Sequence, residues 1–140
     1  MNVDINWVAV LAGTIASMFS GMVWYNPNVF GKKWMKAVGL TQKQAESGQM
    51  MGMMVAIIRS FLLSFALFHI IYVTAAFYSE QSFLDNAVGV GLWVGLAIVA
   101  ATMFMHDTFE QRPKMATKVH VAYEIVNVFL VAVVIGLVTG

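Results

Sequence analysis

The sequence predicts an all-α integral membrane protein: a four-helix bundle with a short interfacial helix between helices one and two. Three observations carry this. The chain is 60% apolar and only 11% charged, about half the charged share of an ordinary soluble domain. Its mean hydropathy is +0.77, and a lipid-facing exterior solvates a surface that apolar. Four apolar stretches, residues 5–24, 57–78, 86–105 and 119–138, each approach the roughly 20 residues a helix needs to span a hydrocarbon core. The length of 140 residues suits one membrane domain, 1–140. There is no cysteine, so disulfides, thiolate metal sites and cysteine nucleophiles are excluded.

The start, Met1-Asn2-Val3-Asp4, lacks a basic n-region, and no Ala-x-Ala-like site comes after it, so the first helix is expected to stay in the mature protein. That helix repeats a small residue every fourth position at Ala9, Gly13, Ser17 and Gly21. Such a face forms a smooth groove into which another helix can press. Packing within the same bundle is the reading preferred over a homodimer contact.

The helix runs into Trp24-Tyr25-Asn26-Pro27, then Phe30-Gly31-Lys32-Lys33-Trp34. Aromatic rings at a helix end settle at headgroup level, and lysines reach for an anionic surface. Pro27 is expected to stop regular structure. Residues 30–38 then place Phe30, Trp34, Ala37 and Val38 on one side and Lys32, Lys33 and Lys36 on the other, the pattern of a helix lying in the interface plane. Gly39 is placed to end it.

Thr41 and Gln44 have capping-box spacing, so helix two is expected to begin before the membrane and run through residue 78 as a long rod. Gly48 and Gly52 are points where it could bend. Met50, Met51, Met53 and Met54 read as adaptable packing near the helix entrance rather than as a Cu(I) site. The connection 79–85 is short and acidic. Helix three carries a second small-residue ridge, Ala87, Gly91 and Gly95, expected to partner that of helix one.

All eight Lys and Arg stand at 32, 33, 36, 43, 59, 112, 114 and 118. They belong to the first and third connections or enter from the same side, so the positive-inside rule puts those connections in the cytoplasm and both termini across the membrane.

Several of these segments resemble an uncharacterised bacterial membrane family, domain of unknown function 1761. The likeness rests on Trp24-Tyr25-Asn26-Pro27, Phe30-Gly31-Lys32, Trp34-Met35 and Gly39-Leu40-Thr41, with Phe109-Glu110-Gln111-Arg112 before the last helix. Asn26 stands where the family usually has serine. The resemblance covers nearly the whole chain and implies a four-helix membrane fold; with the bacterial source it suggests, the membrane is the inner one and the charge distribution puts both termini in the periplasm. It brings no activity or catalytic residues.

Candidate chemistry centres on Glu124, the one acidic residue well inside a span. A carboxylate at that depth must be paired, protonated or near water. His120, Glu124 and Asn127 form a polar stripe at i, i+4 and i+7, and helix two offers Arg59, Ser60, Ser64 and the deeper His69. Two readings stay open: a structural clamp of Glu124 with Arg59 or His120, or a proton- or cation-coupled transport site. A metal site from His106, Asp107, His120 and Glu124 has only a His-x-x-x-Glu spacing behind it, and no zinc, nucleotide or nucleophile motif is present. Neither cofactor, metal nor catalytic set is therefore expected.

The expected partners are anionic lipid headgroups and other membrane helices, of the same chain or another subunit. Lysines beside a membrane helix fit lipid better than nucleic acid. The leading expectation is a non-enzymatic membrane subunit or scaffold. The alternative is a small oligomeric transporter or channel using Glu124.

Overall fold

Asn6 starts the first helix: its side chain accepts the Ala9 N–H at 3.2 Å while its own backbone is extended. Helix α1 therefore spans Trp7–Trp24, two residues inside the predicted start. A computed structural model describes residues 3–140. Met1 and Asn2, the beginning of the predicted domain and of its uncleaved N-terminus, lie outside the described residues.

Beyond Trp24 the chain does not lose regular structure at Pro27, as expected, but winds a wide π turn over Pro27–Gly31. Proline suits a first helical position, where its fixed φ helps and its missing N–H is not needed. The Asn26 side chain accepts from Asn28 N–H at 2.9 Å, and its carbonyl accepts from Gly31 N–H at 3.0 Å. Gly31 is required by that closure, because a Cβ there would collide with the Tyr25 carbonyl. Helix α2, Lys32–Val38, comes next and ends on Gly39 in the left-handed region, φ 69°. Leu40 N–H then bonds the Met35 carbonyl at 2.9 Å, a Schellman-type close.

Helix α3, Gln42–Phe77, opens with the predicted capping box and runs unbroken for 36 residues, about 54 Å. Neither Gly48 nor Gly52 interrupts it. Much of its first half is exposed, and Met50 is 79% exposed. All four methionines at this helix entrance are exposed, and Met53 borders a cleft. The rod's first buried residue is Ser60, about 27 Å along.

Ser82 caps helix α4, Phe83–Trp93, by accepting Asp85 N–H at 3.1 Å. A π segment, Val94–Ala100, links it to helix α5, Ala101–Phe109, without a break. The apolar run 86–105 alone predicts ordinary α-helix here. Extra residues per turn rotate α5 about the helix axis relative to α4, and α5 buries Asp107 against the bundle. Helix α6, Lys114–Thr139, completes the chain. Four helical segments, Trp7–Trp24, Gln42–Phe77, Phe83–Phe109 and Lys114–Thr139, are long and apolar enough to cross a membrane.

The central element is α6, which packs against α1, α3, α4 with its π segment, and α2. The core gathers Val10, Leu67, Phe68, Ile71, Val128, Val131 and Ile135, each at most 1% exposed. The two ridges do not face each other as expected: that of α1 lies in the seam between α3 and α6, and that of α4 faces α6. A Cβ on Gly13 would meet Ser64 and lie 3.2 Å from Val131. One on Gly91 would lie 2.8 Å from Ala132, while Gly95 sits in ordinary contact with Val128. Gly136 reciprocates on α6, where a Cβ would reach Ala87 at 2.8 Å. Small residues on both sides bring the backbones close, and α6, joined by α3 against α1, fills the grooves that α1 and α4 present.

Candidate functional site

The polar stripe of α6 ties a different helix at each of its three positions. His120, on the first turns, accepts the Trp34 indole N–H of α2 at Nε2, 2.6 Å away. One turn further, Glu124 forms an ion pair with Arg59 of α3. At the third position, Asn127 accepts the Ser20 hydroxyl of α1 at 2.8 Å through Oδ1. Of the predicted cluster, Glu124, His120, Asn127 and Arg59 are brought together along this ladder. His69 is not: it lies ten positions beyond Arg59, about 15 Å along α3. There its Nδ1–H donates to the Phe65 carbonyl of its own helix at 2.8 Å, and its ring packs on Phe65. Its donor is thus satisfied within its own turn, and Phe68 also lies beside the ring.

The ion pair is asymmetric in exposure. The Glu124 side chain is 12% exposed and that of Arg59 34%, so the carboxylate is the more desolvated partner. Arg59 also reaches the Ser17 hydroxyl at 3.4 Å, and Ser17 and Ser60 share a hydrogen bond at 2.9 Å. One turn deeper, the Ser64 hydroxyl donates to the Val10 carbonyl at 2.7 Å. Beyond these serines the interior is the dry core of Leu67, Phe68, Ile71, Val131 and Ile135.

The aromatic motif after α1 closes the other end of the ladder. Trp24 donates its indole N–H to the Val119 carbonyl at 3.2 Å and packs on Phe30 with the rings tilted, centroids 4.6 Å apart. Tyr25 meets Tyr123 edge-on at 5.1 Å and Trp34 at 5.6 Å. Burial, reinforced by Tyr123 and Glu124, pushes the Tyr25 phenol above its ordinary range, so it stays neutral. Trp24 and Tyr25 of this motif thus pack against α6. Lys32, Lys33 and Lys36 remain exposed, as does Val38, which was expected on the apolar face.

Two clefts flank the ion pair, and both Arg59 and Glu124 border each. One, of about 570 Å³, lies between α1, α3 and α6 beside Met18, Met22, Tyr25 and Met53. The other, about 540 Å³, lies toward α5 beside Thr102, His106 and Asp107. The candidate metal ligands do not converge: His120 faces Trp34 while His106 is exposed on α5. Among the described residues no group of three His, Asp or Glu side chains is arranged to hold a metal ion.

Sequence reasoning missed the Trp34–His120 bond, the Tyr25–Tyr123 contact and the burial of Asp107. Tyr123 adjoins Glu124 in sequence, and Ser17 lies in the small-residue ridge read as a groove, so both carried a signal. The inward turn of Asp107 comes from the π segment, which no local residue pattern announced.

A family model described as a protein of unknown function (DUF1761) matches residues 8–136. The chain belongs to this family. For the DUF1761 chain the match runs from the start of α1 to Gly136 on α6, and so includes the aromatic motif and every rung of the ladder. No curated protein and no solved structure matches it.

Proposed function

We propose that this DUF1761 protein is a multi-pass protein of a bacterial inner membrane with both termini periplasmic, acting as a non-enzymatic subunit or scaffold. The observation that carries this reading is the ladder itself. His120, Glu124 and Asn127 each bind a side chain of a separate helix, so the intramembrane polar groups serve to hold the bundle together. The outward faces are large and apolar, including Leu11, Ile15 and Phe19 on α1 and Leu92, Trp93 and Leu96 around α4. Lipid or partner helices, of the same chain or another subunit, solvate such faces. Affinity purification in mild detergent tests the assignment: recovery of a stoichiometric unrelated membrane subunit supports it, and a bare homodimer argues for the alternative.

That alternative is a small oligomeric proton- or cation-coupled transporter, and one observation favours it. Arg59 and Glu124 border both clefts, so the carboxylate can be reached from two sides of the bundle. The dry core beyond Ser64 favours the scaffold, because it seals the ladder from the periplasmic half in this arrangement.

A further inference from the structure

A third cleft, of about 540 Å³, lies between α5 and α6 outside the ladder, and three cations border it: Arg112, Lys114 and Lys118. Arg112 is already engaged, with Nε 2.8 Å from Glu110 and 3.6 Å from Asp107. Among the described residues, Lys114 and Lys118 have no carboxylate within ion-pair distance. They stand at i and i+4 on one face of α6, where like charges repel. They also sit in its opening turns, where the helix carries partial positive charge of its own. No acidic residue occupies that first turn and no side chain caps it. Three sources of positive potential therefore converge on one cleft, an arrangement that an anion between them stabilises.

The opposite wall carries the second observation. Asp107 borders the same cleft, is only 5% exposed, and its Oδ2 has no hydrogen-bond partner. A buried carboxylate oxygen left unpaired is costly unless something donates to it. Phe104 lies three positions earlier on α5, toward the apolar middle of the span, and is 60% exposed. The cleft thus combines unpaired cations, a buried acceptor and an apolar flank.

We propose that this cleft binds the phosphodiester headgroup of a phospholipid from the cytoplasmic leaflet. Its phosphate sits between Lys114 and Lys118, a hydroxyl or ammonium group of the headgroup donates to Asp107, and the first acyl carbons lie along Phe104. The proposal rests on the membrane reading above, and the two fail separately. Recovery of the chain without detergent in the soluble fraction would overturn the membrane reading. The headgroup site is read on protein already purified in detergent.

Native mass spectrometry of that protein is titrated with phosphatidylglycerol, phosphatidylethanolamine, phosphatidylcholine or inorganic phosphate. The wild type should retain the first two in preference to phosphatidylcholine, whose headgroup has no N–H or O–H to donate. The K114Q/K118Q protein should bind them about thirtyfold more weakly, from about 1 kcal/mol per lysine. A K32Q/K33Q/K36Q protein, losing more charge elsewhere, should bind as the wild type does. Unchanged retention by K114Q/K118Q, or equal loss in the K32Q/K33Q/K36Q protein, overturns the site. Equal binding of phosphatidylcholine overturns the role of Asp107. Full displacement of lipid by inorganic phosphate at equal concentration overturns the lipid source and leaves a free-phosphate site.

Discussion

Arg59 on α3 and Glu124 on α6 form an ion pair that joins two of the long helices; the other ion pairs among the described residues lie within residues 107–112. The pair marks a boundary. On one side lie the clefts and the aromatic cap; on the other lie hydroxyls bonded between helices and then a core at most 1% exposed. Bringing a carboxylate there is expensive, and the guanidinium and its Ser17 contact offset that cost.

The glycines of α1 and α4 should be intolerant of bulk in proportion to what the facing helices, α3 and α6, present. Gly13→Leu and Gly91→Leu force atoms into Ser64, Val131, Ala132 or the Phe129 backbone. Each should cost at least about 1–3 kcal/mol. Gly21→Leu should cost less, because only the flexible Tyr123 side chain opposes it, with its hydroxyl 2.9 Å from where a Cβ would stand. Leu11→Ile, on an outward face, should stay within about 0.5 kcal/mol. Unfolding in detergent with increasing dodecyl sulfate gives the ranking, and equal stability of all four would place the ridges against lipid.

Alanine at Gly31 and at Gly48 should act in opposite directions. At Gly31 a Cβ meets the Tyr25 carbonyl, which is backbone and cannot swing away. Gly31→Ala should therefore open the turn that delivers Trp34 to His120. At Gly48 the space is empty, so alanine should stiffen the exposed start of α3 by up to about 1 kcal/mol. Hydrogen exchange of the two segments reads both effects. Protection retained around residues 27–34 in Gly31→Ala would contradict the assigned turn.

The Trp34–His120 bond should depend on pH. An indole N–H can only donate, so Nε2 must be unprotonated to accept it. Adding a proton sets two donors face to face. The contribution is therefore present above the pKa of His120 and lost as pH falls through it. Asp107 and Arg112 act on the same ring, Tyr25 packs against it, and its Nδ1 is buried without a partner. Fluorescence of Trp34, in a protein with Trp7, Trp24 and Trp93 changed to Phe, should change with a single histidine-like transition on acidification. His120→Gln should remove that transition. A flat response in the otherwise unchanged protein would show that the contact does not form.

Much of the fold was legible because membrane helices write themselves in long apolar runs, and caps in single residues. Four helices long and apolar enough to cross a membrane, the Thr41–Gln44 box and the Gly39 terminator are all in place. What escaped depends on rotation about a helix axis. Small-residue ridges announce that something packs closely, but not which helix does: α6 faces that of α4, and α3 and α6 together face that of α1. The stripe His120, Glu124 and Asn127 was visible as one face, yet its division among three helices required the α1–α2 turn to fold back. Chemistry alone groups His69 with that stripe, and position along α3 separates the two.

The most direct test of the clamp is a double-mutant cycle on Arg59 and Glu124, with stability measured by unfolding in mixed detergent. Breaking a buried pair can cost about 3–5 kcal/mol. The partial exposure of Arg59 and its capacity to reach the headgroups reduce the expected loss to about 1–3 kcal/mol for Glu124→Gln. Adding Arg59→Gln should then restore part of that loss, giving a coupling of at least about 1 kcal/mol. A stable, well-expressed Glu124→Gln protein, with effects that simply add to those of Arg59→Gln, would contradict the clamp and favour Glu124 as a transport residue.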